Sequence, residues 1–123
     1  MVRYNGLRVP LFGKKETASI TYISHSGAVN RVDVPVGDSV MEGAIRNNID
    51  GIVAECGGAC QCGTCHVYVE PQFLDRLKPI QDDENEMLNT TASPRQPNSR
   101  LGCQIEVTKA LDGLVVHTPP TQI

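Results

Sequence analysis

The sequence predicts an α+β fold, a sheet packed against one main helix in the β-grasp arrangement. Three observations carry this reading. Apolar and polar residues alternate along two early segments separated by a turn, a helix signal follows them, and short strand-like runs return after a cysteine-rich loop. At 123 residues and 13.3 kDa the chain is one domain around one core, which excludes two-domain enzymes.

In chain order, residues 1–15 hold Arg3, Arg8, Lys14 and Lys15 and no acid, and read as a basic solvated arm ahead of a domain at 16–123. Residues 18–23 and 31–36 alternate around Ser24-His25-Ser26-Gly27, the pattern of a hairpin. Ser39-Val40-Met41-Glu42 spells a capping box before an apolar periodicity at Val40, Ala44 and Ile45, with Asn47-Asn48 near its end. This predicts a helix of about ten residues. Ile52-Val53-Ala54 enters the cysteine loop and residues 66–70 leave it as a strand. Residues 101–107 make another strand and 114–117 the last, with short late helices between. The cysteine loop therefore follows the helix, and Cys103 lies on or near a returning strand. Tyr22, Tyr68, Phe12 and Phe73 read as packing residues.

Net charge is −3, and setting the arm aside leaves 7 basic against 14 acidic residues, or −7. A body that acidic repels phosphate backbones, which disfavours nucleic acid and favours a basic protein surface as partner. The longest apolar runs are three residues, at 52–54, 67–69 and 114–116. A spanning helix needs roughly 20, so a soluble protein without membrane insertion is expected; a monomer is expected as well. No export signal is read at the start, and the absence of serine from residues 1–15 reads poorly as a transit peptide. A reducing bacterial cytoplasm is expected ahead of a mitochondrial matrix.

Four of five cysteines, Cys56, Cys60, Cys62 and Cys65, fall within ten residues, and Cys103 follows after 37 more. Disulfides are disfavoured by the odd count, the crowding and the compartment. Cys62-Gly63-Thr64-Cys65-His66 also matches covalent haem attachment, but that would leave three cysteines unexplained and put a strand-start histidine to use as a ligand. Zinc remains a competitor, because Cys62-x2-Cys65 is half of a zinc site, although the second short element is missing. An iron-sulfur cluster explains the most residues. Cys56, Cys62, Cys65 and Cys103 give Cys-x5-Cys-x2-Cys and a remote cysteine, one residue longer in the first gap than the plant-type spacing. A cluster of two ferric ions, two sulfides and four thiolates carries about −2, and about −3 after one electron, so it needs hydrogen-bond donors. Gly57, Gly58 and Gly63, with the small Ala59 and Thr64, let backbone wrap the sulfurs and aim N–H groups at them.

Four stretches carry a family resemblance: Cys56-Gly57-Gly58-Ala59-Cys60-Gln61-Cys62-Gly63-Thr64-Cys65-His66, the run Val67-Tyr68-Val69, the acidic Asp82-Asp83-Glu84-Asn85-Glu86-Met87-Leu88, and Asn98-Ser99-Arg100-Leu101-Gly102-Cys103-Gln104-Ile105. Together they resemble the 2Fe-2S ferredoxins of the vertebrate and bacterial hydroxylase (adrenodoxin/putidaredoxin) type, over about residues 18–118. The resemblance implies a β-grasp fold with a mixed sheet, one 2Fe-2S cluster ligated by Cys56, Cys62, Cys65 and Cys103, and an electron carrier rather than an enzyme. It also implies the partners, an FAD-containing ferredoxin reductase as donor and a cytochrome P-450 class monooxygenase as acceptor. The first 15 residues and the ending 119–123 match nothing in it. The additional Cys60, read as a non-ligand, also resembles ferredoxins that serve iron-sulfur cluster assembly, the alternative function. A zinc-stabilised β-grasp interaction module is the rival of a different class.

A carrier needs no catalytic group, and no Ser-His-Asp, paired-carboxylate or phosphate-loop constellation stands out; His25 and His117 read as surface or strand residues. His66, next to Cys65, is expected to bond loop backbone with its side chain and fix the loop's shape. Between Glu70 and Glu86 six acids face only Arg76 and Lys78. Asp82, Asp83, Glu84 and Glu86 are the expected docking face, and the first three also suit the first turn of a helix.

Overall fold

Alternation places Ala18, Ile20 and Tyr22 on one face of strand β1, Thr17–Ile23, and all three are buried. β1 pairs antiparallel with β2, Val29–Pro35, from Thr17 opposite Pro35 to Ile23 opposite Val29, so the expected hairpin forms. The computed structural model describes residues 16–52 and 64–122. The basic arm, Phe12 and most of the cysteine loop (53–63) lie outside the described residues.

Helix α1, Val40–Arg46, starts where the capping box predicts: Glu42 N–H donates to Ser39 Oγ at 3.0 Å and Ser39 N–H donates to Glu42 Oε1 at 2.8 Å. It ends after seven residues instead of ten. The Asn47 carboxamide donates to Gly43 O at 2.8 Å, and Asn48 turns left-handed at φ 55°, so the asparagine pair stops the helix early. The buried face of α1 rests on the hairpin, where Tyr22 Oη donates to Val40 O at 2.7 Å. Burial holds the Tyr22 phenol well above its usual range, so it stays a donor.

Three further strands complete one five-stranded mixed sheet in the order β2-β1-β5-β3-β4: β3, His66–Val69; β4, Ser99–Leu101; and β5, Leu114–His117. β5 lies parallel to β1 and antiparallel to β3, so the last strand closes the centre of the sheet. Helix α2, Asp82–Leu88, packs its buried Leu88 inward beside β4. The core joins Ile20, Tyr22, Val34, Val67, Leu101 and Leu114, all fully buried. Tyr22 and the half-buried Phe73 pack as expected, and Tyr68 is half-buried with its hydroxyl donating to Pro94 O at 2.7 Å.

The strand expected over 101–107 is cut short. β4 stops at Leu101 and residues Gly102–Gln104 form a 3₁₀ turn. The chain then crosses to the start of α1, where Val40 N–H donates to Ile105 O at 2.9 Å and Val107 N–H to Asp38 O at 2.8 Å. Residues 105–107 thus find backbone partners outside the β3–β4 ladder, and Cys103 sits on the turn after a strand. Among the described residues no helix is long and apolar enough to cross a membrane.

Candidate metal centre

The 3₁₀ turn brings Cys103 against Cys65, which precedes β3. Gly102 N–H donates to Cys65 O at 2.8 Å, and Cys103 N–H donates to Cys65 Sγ at 3.4 Å. A Cβ built on Gly102 would lie 3.2 Å from both Cys65 O and Met41 N, backbone atoms that cannot swing aside, so glycine lets the turn seat on the start of α1. Next to it, the Gln104 carboxamide donates to Cys103 Sγ at 3.4 Å. Two sulfurs from separate parts of the fold therefore converge, each with an N–H aimed at it. Soft ligands with donors on the sulfur suit an anionic iron-thiolate group, so these residues fit a 2Fe-2S cluster. Thr64 and Cys65 are buried and Cys103 is half-buried. Cys56, Cys60, Cys62, Gly57, Gly58 and Gly63 lie outside the described residues.

His66 is expected to bond loop backbone, and residues 53–63 of that loop lie outside the described residues. Its Nε2 sits 2.8 Å from Ser99 Oγ, and Nδ1, also buried, has no partner among the described residues. Burial, followed by the charge of Arg95, lowers its pKa to about 4, so a neutral ring spans β3 to β4. His66 is fully buried and packs against Tyr68, ring centroids 4.7 Å apart.

Glu84 corrects an expectation, because it is buried and so is not on the docking face. It is 1% exposed, and its carboxylate takes Arg100 Nε at 2.7 Å, Arg100 Nη2 at 3.1 Å and Leu101 N–H at 2.9 Å. The helical period turns Glu84 and Leu88 inward together, while Asp82, Asp83 and Glu86 stay exposed. The inner carboxylate ties α2 to β4 two residues before Cys103. Outside, Arg95 holds α2 through Asn85 Oδ1 at 2.9 Å and Asn89 Oδ1 at 2.9 Å. Sequence reasoning missed the contacts of Arg100 and Gln104; the one local hint was a basic residue inside an otherwise neutral run at 98–103.

A family model described as the 2Fe-2S iron-sulfur cluster binding domain matches residues 24–108. The chain belongs to the 2Fe-2S ferredoxins. This ferredoxin is 49% identical over 105 residues to rhodocoxin of Rhodococcus erythropolis, spanning 85% of this chain and 98% of that one. A crystal structure of a reduced putidaredoxin variant from Pseudomonas putida matches with TM-score 0.85 at 42% identity, covering 86% of this chain and 100% of that one. Putidaredoxin in a covalent complex with putidaredoxin reductase matches with TM-score 0.81 at 43% identity, covering 83% of this chain and 98% of that one. The ferredoxin has the β-grasp fold, holds one 2Fe-2S cluster, and is an electron carrier rather than an enzyme. The zinc reading that the cysteine spacing left open is thereby overturned.

Proposed function

We propose that Cys56, Cys62, Cys65 and Cys103 ligate the cluster, and that the ferredoxin takes single electrons from an FAD-containing ferredoxin reductase and delivers them to a cytochrome P-450 class monooxygenase. The observation that carries the ligand set is the meeting of Cys65 and Cys103 across the fold, with an N–H on each sulfur. The cluster supplies a site that gains and loses one electron. The chain's own residues hold it and tune it. Gly102 allows the close backbone approach, Gln104 and the Cys103 amide offset negative charge on sulfur, and Gly57, Gly58, Gly63 and Thr64 are assigned the same donor role around the loop. His66 acts one step away, by joining β3 to Ser99 on β4.

Partner choice rests on charge. Asp82, Asp83 and Glu86, exposed on α2, form the docking face, and Glu84 is left out of it. The reductase as donor draws support from the putidaredoxin complex, and the P-450 class acceptor from the family resemblance. Exposed carboxylates suit brief encounters with two successive basic partners, since steering raises association rates without a large buried interface. The ferredoxin unit is assigned to 16–123 with 1–15 as a basic arm, acting as a monomer in a bacterial cytoplasm.

The test is reconstitution. The wild-type chain should carry about two iron and two acid-labile sulfides and pass electrons from reduced reductase to a P-450 class haem, read by its carbon monoxide difference spectrum. Cys65→Ser and Cys103→Ser should lose or strongly alter the cluster. Iron and sulfide contents equal to wild type in either variant would refute the ligand set.

A further inference from the structure

β3 stands between β4 and β5, but the two neighbours do not run equally far. Cys65 O bonds Gly102 N–H and Val69 N–H bonds Asn98 O, so these odd-numbered residues direct their backbone groups to the β4 side. By the alternation of an antiparallel strand, His66 directs its N–H and C=O to the β5 side. The β5 register, Tyr68 opposite His117 and Val69 opposite Val116, would put Pro119 opposite His66. Proline has no N–H to give, and Pro120 follows it. His66 is fully buried, so its peptide groups need another partner.

That partner is a side chain. In the tail after β5, Gln122 Oε1 accepts from His66 N–H at 3.2 Å and Gln122 Nε2 donates to His66 O at 2.8 Å, as a peptide group of a neighbouring strand would. The second N–H of the same carboxamide donates to Gly51 O at 2.7 Å. Gln122 is 7% exposed and both N–H groups of its carboxamide are in use. The tail that carries it is anchored nearby: Thr118 N–H donates to Ile23 O at 2.9 Å, and Ser93 Oγ to Thr121 O at 2.8 Å. Gly51 is fitted to it, with φ 96° and no room for a Cβ, which would lie 2.6 Å from Thr118 Oγ1.

Gly51 and His66 flank the cysteine segment in the sequence. We propose that the Gln122 carboxamide is the clasp that fixes both ends of that segment, a positioning residue for cluster retention that substitutes for the strand partner Pro119 cannot provide. The role in retention rests on the ligand set proposed above; the clasp itself rests only on the three hydrogen bonds.

The experiment compares holoprotein of the wild type with Gln122→Met, which keeps length and bulk but loses every hydrogen bond, and with Gln122→Ala. Two readouts are taken: hydrogen exchange of the peptide carrying His66, against the β1–β2 hairpin as internal reference, and the rate of iron transfer to a chelator. In both variants exchange at His66 and iron transfer should rise about tenfold, the equivalent of ~1.4 kcal/mol, while the hairpin is unchanged. The reduction potential should shift as well, which a loss of general stability would not produce. Exchange at His66 equal to wild type in Gln122→Met would overturn the clasp, as would the same acceleration throughout the hairpin. Faster exchange with unchanged iron transfer would overturn the role in retention. A wild-type chain without cluster-bound iron would sink the ligand set instead, and exchange at His66 would still decide the clasp.

Discussion

Asp83 and Glu84 are neighbours on α2, yet one carboxylate is in water and the other is 1% exposed against a guanidinium. Removing one partner of a buried pair leaves the other charged and unmatched, at a cost of about 3–5 kcal/mol. Glu84→Gln keeps one acceptor oxygen and should fall at the lower end, about 3 kcal/mol, measured by chemical denaturation of the holoprotein. Asp83→Asn should stay within about 0.5 kcal/mol of wild type. Equal stability of the two variants would contradict the assignment of Glu84 to the core. The amide on Cys103 Sγ makes a different prediction. A donor on a ligand sulfur favours the more negative, reduced state, so Gln104→Leu should lower the reduction potential. A hydrogen bond worth ~1 kcal/mol corresponds to a few tens of mV for one electron. An unchanged midpoint in a voltammetric titration would exclude Gln104 as a tuning residue.

Where α1 meets the hairpin, the spacing is set by a missing side chain. A Cβ on Gly43 would lie 2.6 Å from Val34 Cγ2 and 2.8 Å from Tyr22 Oη, both on fully buried residues. Alanine gains up to ~1 kcal/mol of helix propensity, but overpacking costs typically about 1–3 kcal/mol, and here nothing can yield. Gly43→Ala should therefore lower the thermal midpoint, and a rise would show that the helix moves off the sheet freely. At the other end of the sheet, His117 on β5 meets Glu70, just after β3, at 2.8 Å, with Gln72 donating to the same carboxylate at 3.0 Å. The His117 bond and then the Gln72 bond hold the Glu70 carboxyl below its usual value of 4.5. The folded state thus takes up this proton less readily than the unfolded chain. Its contribution is complete above about pH 4.5 and is lost as pH falls through the lower folded value. Glu70→Gln should flatten stability against pH in that acid window and nowhere else; an equally steep profile would refute the linkage.

These elements also mark how far one sequence can be read. The hairpin and the capping box were legible because each is written in adjoining stretches of chain. The break at Gly102, the inward turn of Glu84 and the clasp of Gln122 were not. Their partners stand far away in sequence: Met41 and Cys65 for Gly102, Arg100 for Glu84, Gly51 and His66 for Gln122. The central place of β5 was equally hidden, since strand order follows from long-range pairing that alternation does not encode.

Residues 16–123 carry −7 in all, and α2 gathers three exposed carboxylates, Asp82, Asp83 and Glu86, on one outward face. A field of this kind acts before contact, by steering a basic partner during its approach, so it belongs to the association rate rather than to the lifetime of the complex. Its range is the Debye length, about 8 Å at physiological salt and about 3 Å at 1 M. Asp83→Asn and Glu86→Gln should therefore slow reduction by the reductase several-fold at low ionic strength, with thermal stability unchanged, and the deficit should close as salt rises. Stopped-flow reduction across a salt series reads this directly. Glu84→Gln supplies the contrast, because a defect that comes from lost packing does not fade with screening. If the Asp83→Asn deficit persisted undiminished in 1 M salt, α2 would be a contact surface of another kind and the acidic docking face would have to be given up.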